Sequence, residues 1–164
     1  MNENDKSNAL AAGDTSDPVA TPSAGSRGRD ESKCDKNRIL IVDDEQSIRD
    51  VFRRVLSYGL PKCRIDLAVN GAEAVESFRQ THQGVILMDL HMPIMNGERA
   101  FMEIRHICLE NDWEMPSVVF CTGYEPPHEI QNIVSENPRH CALRKPVTNE
   151  TLIEALKLRL PPHA

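Results

Sequence analysis

A chain of 164 residues, 40% hydrophobic and 27% charged, has the length of one domain built around a single buried core, and two full domains would be a squeeze. Four Phe, two Tyr and one Trp leave the core to aliphatic side chains, as in a helix-covered parallel sheet and unlike an aromatic-rich sandwich. The net charge of −6 offers no basic field for phosphate backbones or anionic lipid, which argues against nucleic acid or membrane as a direct partner.

The longest apolar runs, such as Ile39 to Val42 and Val85 to Met88, are strand-sized and far short of a membrane span. The first residues, Met1-Asn2-Glu3-Asn4-Asp5-Lys6, carry neither a basic start nor an apolar stretch behind it, so no secretory signal is expected and the cytoplasm is the expected compartment. Five cysteines without a C-x-x-C pair suggest reduced, packed thiols, and six scattered histidines form no zinc motif. Residues 1–36 hold Leu10 and Val19 as their only branched aliphatics, too little apolar surface to offset the entropy of ordering, and are expected to be a disordered tail.

From residue 37 short aliphatic runs alternate with amphipathic patterns. Arg38-Ile39-Leu40-Ile41-Val42 reads as a buried strand ending at Asp43-Asp44. Ile48, Val51, Phe52, Val55 and Leu56 follow helical spacing, with Gly59 and Pro61 as the stop. Ile65, Leu67 and Val69 alternate with polar or small residues as a peripheral strand would, and Asn70-Gly71 opens a helix on Ala74, Val75 and Phe78. Val85-Ile86-Leu87-Met88 is a second buried strand, ending at Asp89. Leu90 to Gly97 is a loop by its Pro93 and Asn96-Gly97 punctuation. Ala100, Phe101, Ile104, Ile107 and Cys108 mark the next helix, and Val118 to Cys121 a strand ending at Thr122-Gly123. Ile130, Ile133 and Val134 predict a short helix after Pro126-Pro127. The last strand, Cys141 to Arg144, meets Lys145-Pro146, and Thr148 can cap a final helix carrying Leu152, Ile153, Leu156 and Leu160. Five βα units between residues 37 and 160, followed by a tail at 161–164, define an α/β fold: an open, doubly wound, five-stranded parallel sheet.

In such sheets ligands sit beyond the carboxyl ends of the strands, where strand order reverses. Asp43 and Asp44 follow the first strand and Asp89 the third. In the order 2-1-3-4-5, the flavodoxin-like one, those strands are neighbours, so three carboxylates converge. Their mutual repulsion invites a hard divalent cation with oxygen ligands, such as Mg²⁺. Lys145 and Thr122, after the fifth and fourth strands, add an ammonium and a hydroxyl suited to the oxygens of a transferring phosphoryl group, with a carboxylate as nucleophile. Each residue alone has a plainer role: Asp44 as a helix N-cap, Asp89 as a turn residue, Gly97 as a close turn. Independent turn residues would not place complementary charges at four of five strand ends.

The pieces Ile41-Val42-Asp43-Asp44-Glu45, Leu87-Met88-Asp89-Leu90-His91-Met92-Pro93 with Asn96-Gly97, Thr122-Gly123 and Lys145-Pro146 make the chain from about Arg38 to Leu160 resemble a response-regulator receiver domain of two-component signalling. The resemblance implies that Asp89 accepts phosphate from a sensor histidine kinase or a histidine phosphotransfer protein. It also implies that Asp43, Asp44, Asp89 and the backbone carbonyl of His91 hold Mg²⁺, that Lys145 pairs with the phosphoryl group, and that Thr122 swings its hydroxyl to it. A cis peptide at Lys145-Pro146 goes with this. Such a module is no conventional enzyme, although self-phosphorylation and slow self-dephosphorylation are expected of it. Only 18 residues follow Pro146, so a stand-alone receiver acting on an unknown downstream protein is expected.

Two departures stand out. Many receivers carry an aromatic residue three positions before the lysine, which moves with the threonine; here it is Ala142. His91 and Tyr124 occupy the positions that tune self-dephosphorylation in the family, and a bulky Tyr124 is expected to hinder the attacking water. Two other readings compete. Haloacid-dehalogenase-like phosphatases use an aspartyl nucleophile, Mg²⁺, a hydroxyl and a lysine, but place the paired acids late. A pseudo-receiver would keep the fold as an interaction domain without phosphorylation.

Overall fold

The computed structural model describes residues 34–162. Five βα units follow one another: β1 (Asp35–Val42), α1 (Gln46–Gly59), β2 (Arg64–Ala68), α2 (Gly71–Thr81), β3 (Gln83–Asp89), α3 (Gly97–Asn111), β4 (Ser117–Thr122), α4 (His128–Glu136), β5 (Cys141–Arg144) and α5 (Asn149–Lys157). All strand pairs are parallel and the order is β2-β1-β3-β4-β5, as expected from the sequence.

The continuous aliphatic runs belong to strands covered on both faces, where period-two alternation sends successive side chains to opposite layers. Leu40, Val42, Ile86, Met88, Val118 and Phe120 face the layer of α2, α3 and α4, packing with Phe78, Phe101, Ile104 and Ile130. Ile39, Ile41, Val85, Leu87, Val119 and Cys121 face α1 and α5, packing with Phe52, Leu56, Leu152 and Leu156. Each such side chain stabilises the fold by roughly 1.5–3 kcal/mol through burial, which outweighs local helix propensity in elements this short.

The helix starts follow their caps. Asn70 Oδ1 accepts from Glu73 N at 2.9 Å, Asn96 Oδ1 from Arg99 N at 2.9 Å, and Thr148 Oγ1 from Thr151 N at 3.2 Å. At α1 the cap is Glu45, without a side-chain hydrogen bond, so Asp44 does not take the N-cap role that an isolated Asp before a helix would suggest.

The expected boundary at residue 37 falls inside β1. Asp35 pairs with Gln83, its N–H donates to His82 O at 2.6 Å, and Cys34 is buried with its thiol donating to Glu114 O at 2.9 Å. Main-chain pairing does not require apolar side chains, so composition placed the edge too late. The remainder of the expected tail, residues 1–33, and residues 163–164 lie outside the described residues. At β2, an edge strand as expected, Leu67 and the following Val69 are partly exposed while Ala68 is buried. Asp66 is held inward by Arg38 Nη2 at 2.9 Å and Gln83 Nε2 at 2.9 Å. Leu160 is buried after the helix has ended at Lys157.

Candidate functional site

Strand register gathers the polar residues. Val42 pairs with Met88, Asp89 with Cys121 and Thr122 with Arg144, so the residues after β1, β3, β4 and β5 stand side by side along the upper rim of the sheet. Asp43, Asp89 and Thr122 are buried there, whereas Asp44 is exposed. Oxygen atoms of Asp43, Asp44 and Asp89 lie within 4.8 Å of one another. The Lys145 ammonium reaches in from the opposite side, donating to Asp43 Oδ2 at 2.7 Å and to Asp89 Oδ2 at 3.2 Å. Its neighbour bond, Lys145-Pro146, is cis, and the Lys145 N–H donates to Thr122 O at 2.8 Å.

Several contacts stiffen this pocket. Asp43 Oδ1 accepts from Glu45 N at 2.9 Å, and Asp89 Oδ1 from His91 N at 3.3 Å. Gly97 lets α3 start against the acidic strand end: its N–H donates to Leu90 O at 3.1 Å, and a Cβ there would collide with the carbonyl oxygen of Asp89. Gly97 is thus a close-approach glycine, not a left-handed one. Sequence reasoning missed Arg49, whose Nη1 donates to Asp43 O at 2.6 Å. It lies six residues beyond Asp43, on the first turns of α1, a position that no motif marked.

Electrostatics define what the pocket can hold. Burial pulls the Lys145 ammonium toward neutrality, but the Asp43 hydrogen bond and the charges of Asp89 and Asp43 prevail and hold its pKa above the ordinary lysine value. The Lys145 ammonium, with the Arg49 guanidinium on the Asp43 carbonyl, still leaves the three carboxylates in excess and the pocket anionic. Two unit charges 4 Å apart interact by about 4 kcal/mol at an effective dielectric of 20, so a further cation is strongly favoured. Three hard oxygen donors and no nitrogen or sulfur donor in the cluster fit a divalent cation of the Mg²⁺ type. Burial pushes the thiols of Cys34 up to about 12 and of Cys121 and Cys108 up to about 11, which disfavours the thiolate form that would bind a metal.

Thr122 stands beside the acids. Its hydroxyl oxygen accepts from Tyr124 N at 3.2 Å and lies 3.4 Å from His91 Nδ1. The His91 ring meets the Tyr124 ring edge-on, with centroids 4.9 Å apart. Ala142, in the place of the expected aromatic, is a small exposed residue on β5 paired with Phe120.

The sequence model of the response regulator receiver domain family matches residues 39–157, and the chain belongs to that family. Over 71 residues it is 44% identical to the regulatory protein AtoC of Escherichia coli, covering 42% of this chain and 14% of that protein. It is 31% identical over 121 residues to probable histidine kinase 1 of Oryza sativa, covering 70% of this chain and 11% of that protein. The chain therefore matches only a small part of the length of these relatives. Among solved structures, the chemotaxis response regulator CheY4 of Vibrio cholerae is 25% identical with a TM-score of 0.60, covering 75% of this chain and 98% of that one. The receiver domain of Saccharomyces cerevisiae Ssk1, solved with the histidine phosphotransfer protein Ypd1, shares the fold at a TM-score of 0.64 and 24% identity, covering 74% of this chain and 87% of that one.

Receiver domains are modules of phosphorelay signal transduction rather than conventional enzymes, and they bind Mg²⁺ at an acidic pocket. The phosphatase reading is not favoured by this membership. No helix among the described residues is long and apolar enough to cross a membrane.

Proposed function

We propose that this receiver domain takes a phosphoryl group on Asp89 from a histidine kinase or a histidine phosphotransfer protein and thereby changes its affinity for a downstream protein. The observation that carries the reading is the convergence of Asp43, Asp44 and Asp89 within 4.8 Å opposite the Lys145 ammonium. A carboxylate oxygen of Asp89 attacks phosphorus, the phosphorus–nitrogen bond to the donor imidazole breaks, and the leaving nitrogen keeps the bond pair and takes a proton from solvent.

The chain's own groups have distinct parts in this. Asp43, Asp44, Asp89 and the backbone carbonyl of His91 would hold Mg²⁺. Bound there, the ion offsets the charge of the carboxylates and of the phosphoryl oxygens. Lys145 exchanges part of its bonding to Asp89 Oδ2 for a phosphoryl oxygen, and Thr122 turns its hydroxyl to another. The product adds about −1.5 to −2 charge at the rim, enough to shift a two-state surface. A cytoplasmic location, with reduced thiols and Mg²⁺ at hand, goes with this reading.

The test is intact mass after incubation with Mg²⁺ and acetyl phosphate. Wild type gains one phosphoryl adduct that chelator prevents, and Asp89→Asn gains none. Equal adducts on both would move the acceptor elsewhere, and no adduct on either would favour the pseudo-receiver.

A further inference from the structure

The Thr122 carbonyl accepts from Lys145 N at 2.8 Å and the Thr122 side chain is fully buried, and a jump of about 120° between staggered χ1 wells is enough to redirect its hydroxyl. In the unphosphorylated chain the hydroxyl oxygen already accepts from Tyr124 N at 3.2 Å. His91 Nδ1 lies 3.4 Å away; it takes the hydroxyl hydrogen when the ring carries its proton on Nε2 and donates to the oxygen's second lone pair when the proton is on Nδ1. At that length the bond is weak. A hydrogen bond to an anionic phosphoryl oxygen is shorter and about twice as strong as a neutral one, so the exchange runs toward the phosphoryl group once it is present.

What the hydroxyl leaves behind is the second half of the argument. His91 lies on the loop after β3 and Tyr124 on the loop after β4, and their rings are in edge-to-face contact at 4.9 Å with an interplanar angle of 62°. Tyr124 is 68% exposed. On β5, Ala142 has only a methyl group and provides no ring to follow the threonine. Among the described residues, the hydrogen-bond partners of the Thr122 hydroxyl are thus His91, through its ring, and Tyr124, through its N–H.

We propose that His91 and Tyr124 are the positioning partners of Thr122 in this chain: the imidazole holds the hydroxyl away from the acidic pocket until Asp89 is phosphorylated, and its release re-sets the exposed His91–Tyr124 pair as the outgoing signal. This rests on Asp89 being the acceptor. The device routes the signal across the β3 and β4 loops instead of through β5.

Fluorine NMR of the whole chain carrying 3-fluorotyrosine tests it. The chain has two tyrosines, and Tyr124→Phe assigns the signals. Each sample is treated with Mg²⁺ and acetyl phosphate, and spectra are compared at the adduct fraction read by mass in the same tube. The expected result is a phosphorylation-dependent shift of Tyr124 in wild type that is lost in Thr122→Ala and at least halved in His91→Phe, which keeps a ring but not the hydrogen bond. His91→Asn, which keeps an acceptor near the Nδ1 position but no ring, is expected to lose the shift as well. A full shift in His91→Phe, or an adduct with Tyr124 unmoved in wild type, would overturn the coupling alone. An absent adduct would overturn both the acceptor assignment and the coupling built on it.

Discussion

Lys145 Nζ and Asp43 Oδ2 meet at 2.7 Å although 102 residues separate them in the chain. The Asp43 side chain is 2% exposed and that of Lys145 20%, so the pair is held largely out of water. Removing Lys145 leaves the buried Asp43 carboxylate without its ammonium partner, a loss of about 3 kcal/mol or more. In chelator, Lys145→Met is expected to lower the urea midpoint accordingly, and adding Asp43→Asn to it should recover part of the loss. Strict additivity of the two substitutions in a double-mutant cycle would argue against the pairing.

Asp44 differs from its neighbour because it is exposed and caps no helix. Without metal its carboxylate adds repulsion to Asp43 and Asp89, and with metal it adds a ligand. Asp44→Asn should therefore melt at or above wild type in chelator and below it in Mg²⁺. For wild type, a tenfold excess of Mg²⁺ over its dissociation constant adds roughly 1.4 kcal/mol. Melting curves with and without Mg²⁺ read both effects, and an unchanged order of the two proteins would count against the ligand role.

Gly97 allows α3 to begin against the main chain of Asp89. A methyl group there meets backbone, which yields less readily than a flexible side chain. Gly97→Ala is expected to cost about 2 kcal/mol or more and to slow adduct formation, because the carbonyl that must move belongs to the acceptor residue. Normal stability together with a normal rate by intact mass would show that the loop absorbs the change.

His140 supplies an acid-sensitive contact at the other end of the sheet. Its Nδ1 accepts from Val118 N at 3.1 Å and its ring lies edge-on to Phe101 at 5.2 Å. Burial first, then the charges of Arg139 and Arg159, push its pKa from 6.5 down to about 4. The unfolded chain binds the proton more readily between these values, so stability is complete above about 6.5 and is lost as pH falls toward 4, by roughly 3 kcal/mol. Denaturant midpoints at pH 7 and 4.5 should converge less for wild type than for His140→Asn, in which this part of the acid loss disappears. An equal acid loss in both proteins would remove His140 from the account.

Much of the fold was legible before any coordinates because its signals are local. Runs such as Ile39–Val42 and Val85–Met88 announce strands covered on both sides, and Asn70 and Thr148 cap helices that begin where expected, whereas Asn96-Gly97, read as part of a loop, opens α3. The acids, Thr122 and Lys145 could be placed because each follows a strand and the strand order brings those ends together. Features that depend on a distant partner were not legible. Asp66 turns inward on an edge strand because Arg38 and Gln83 receive it. Cys34 and Asp35 join the fold through Glu114 and His82, and Arg49 finds the Asp43 carbonyl from a helix whose motif ends before it.

By itself the order of residues determined that this chain forms an α/β sheet with chemistry at its carboxyl rim, since periodicity, capping and strand-end residues are properties of short windows. Only the tertiary structure decided that one ammonium bridges two of the carboxylates, that Asp44 is exposed while Asp43 is buried, and that the Thr122 hydroxyl rests beside His91 while β5 offers it only an alanine. Those outcomes depend on distances between segments far apart in the chain, and such distances are set by how the two layers pack on the sheet.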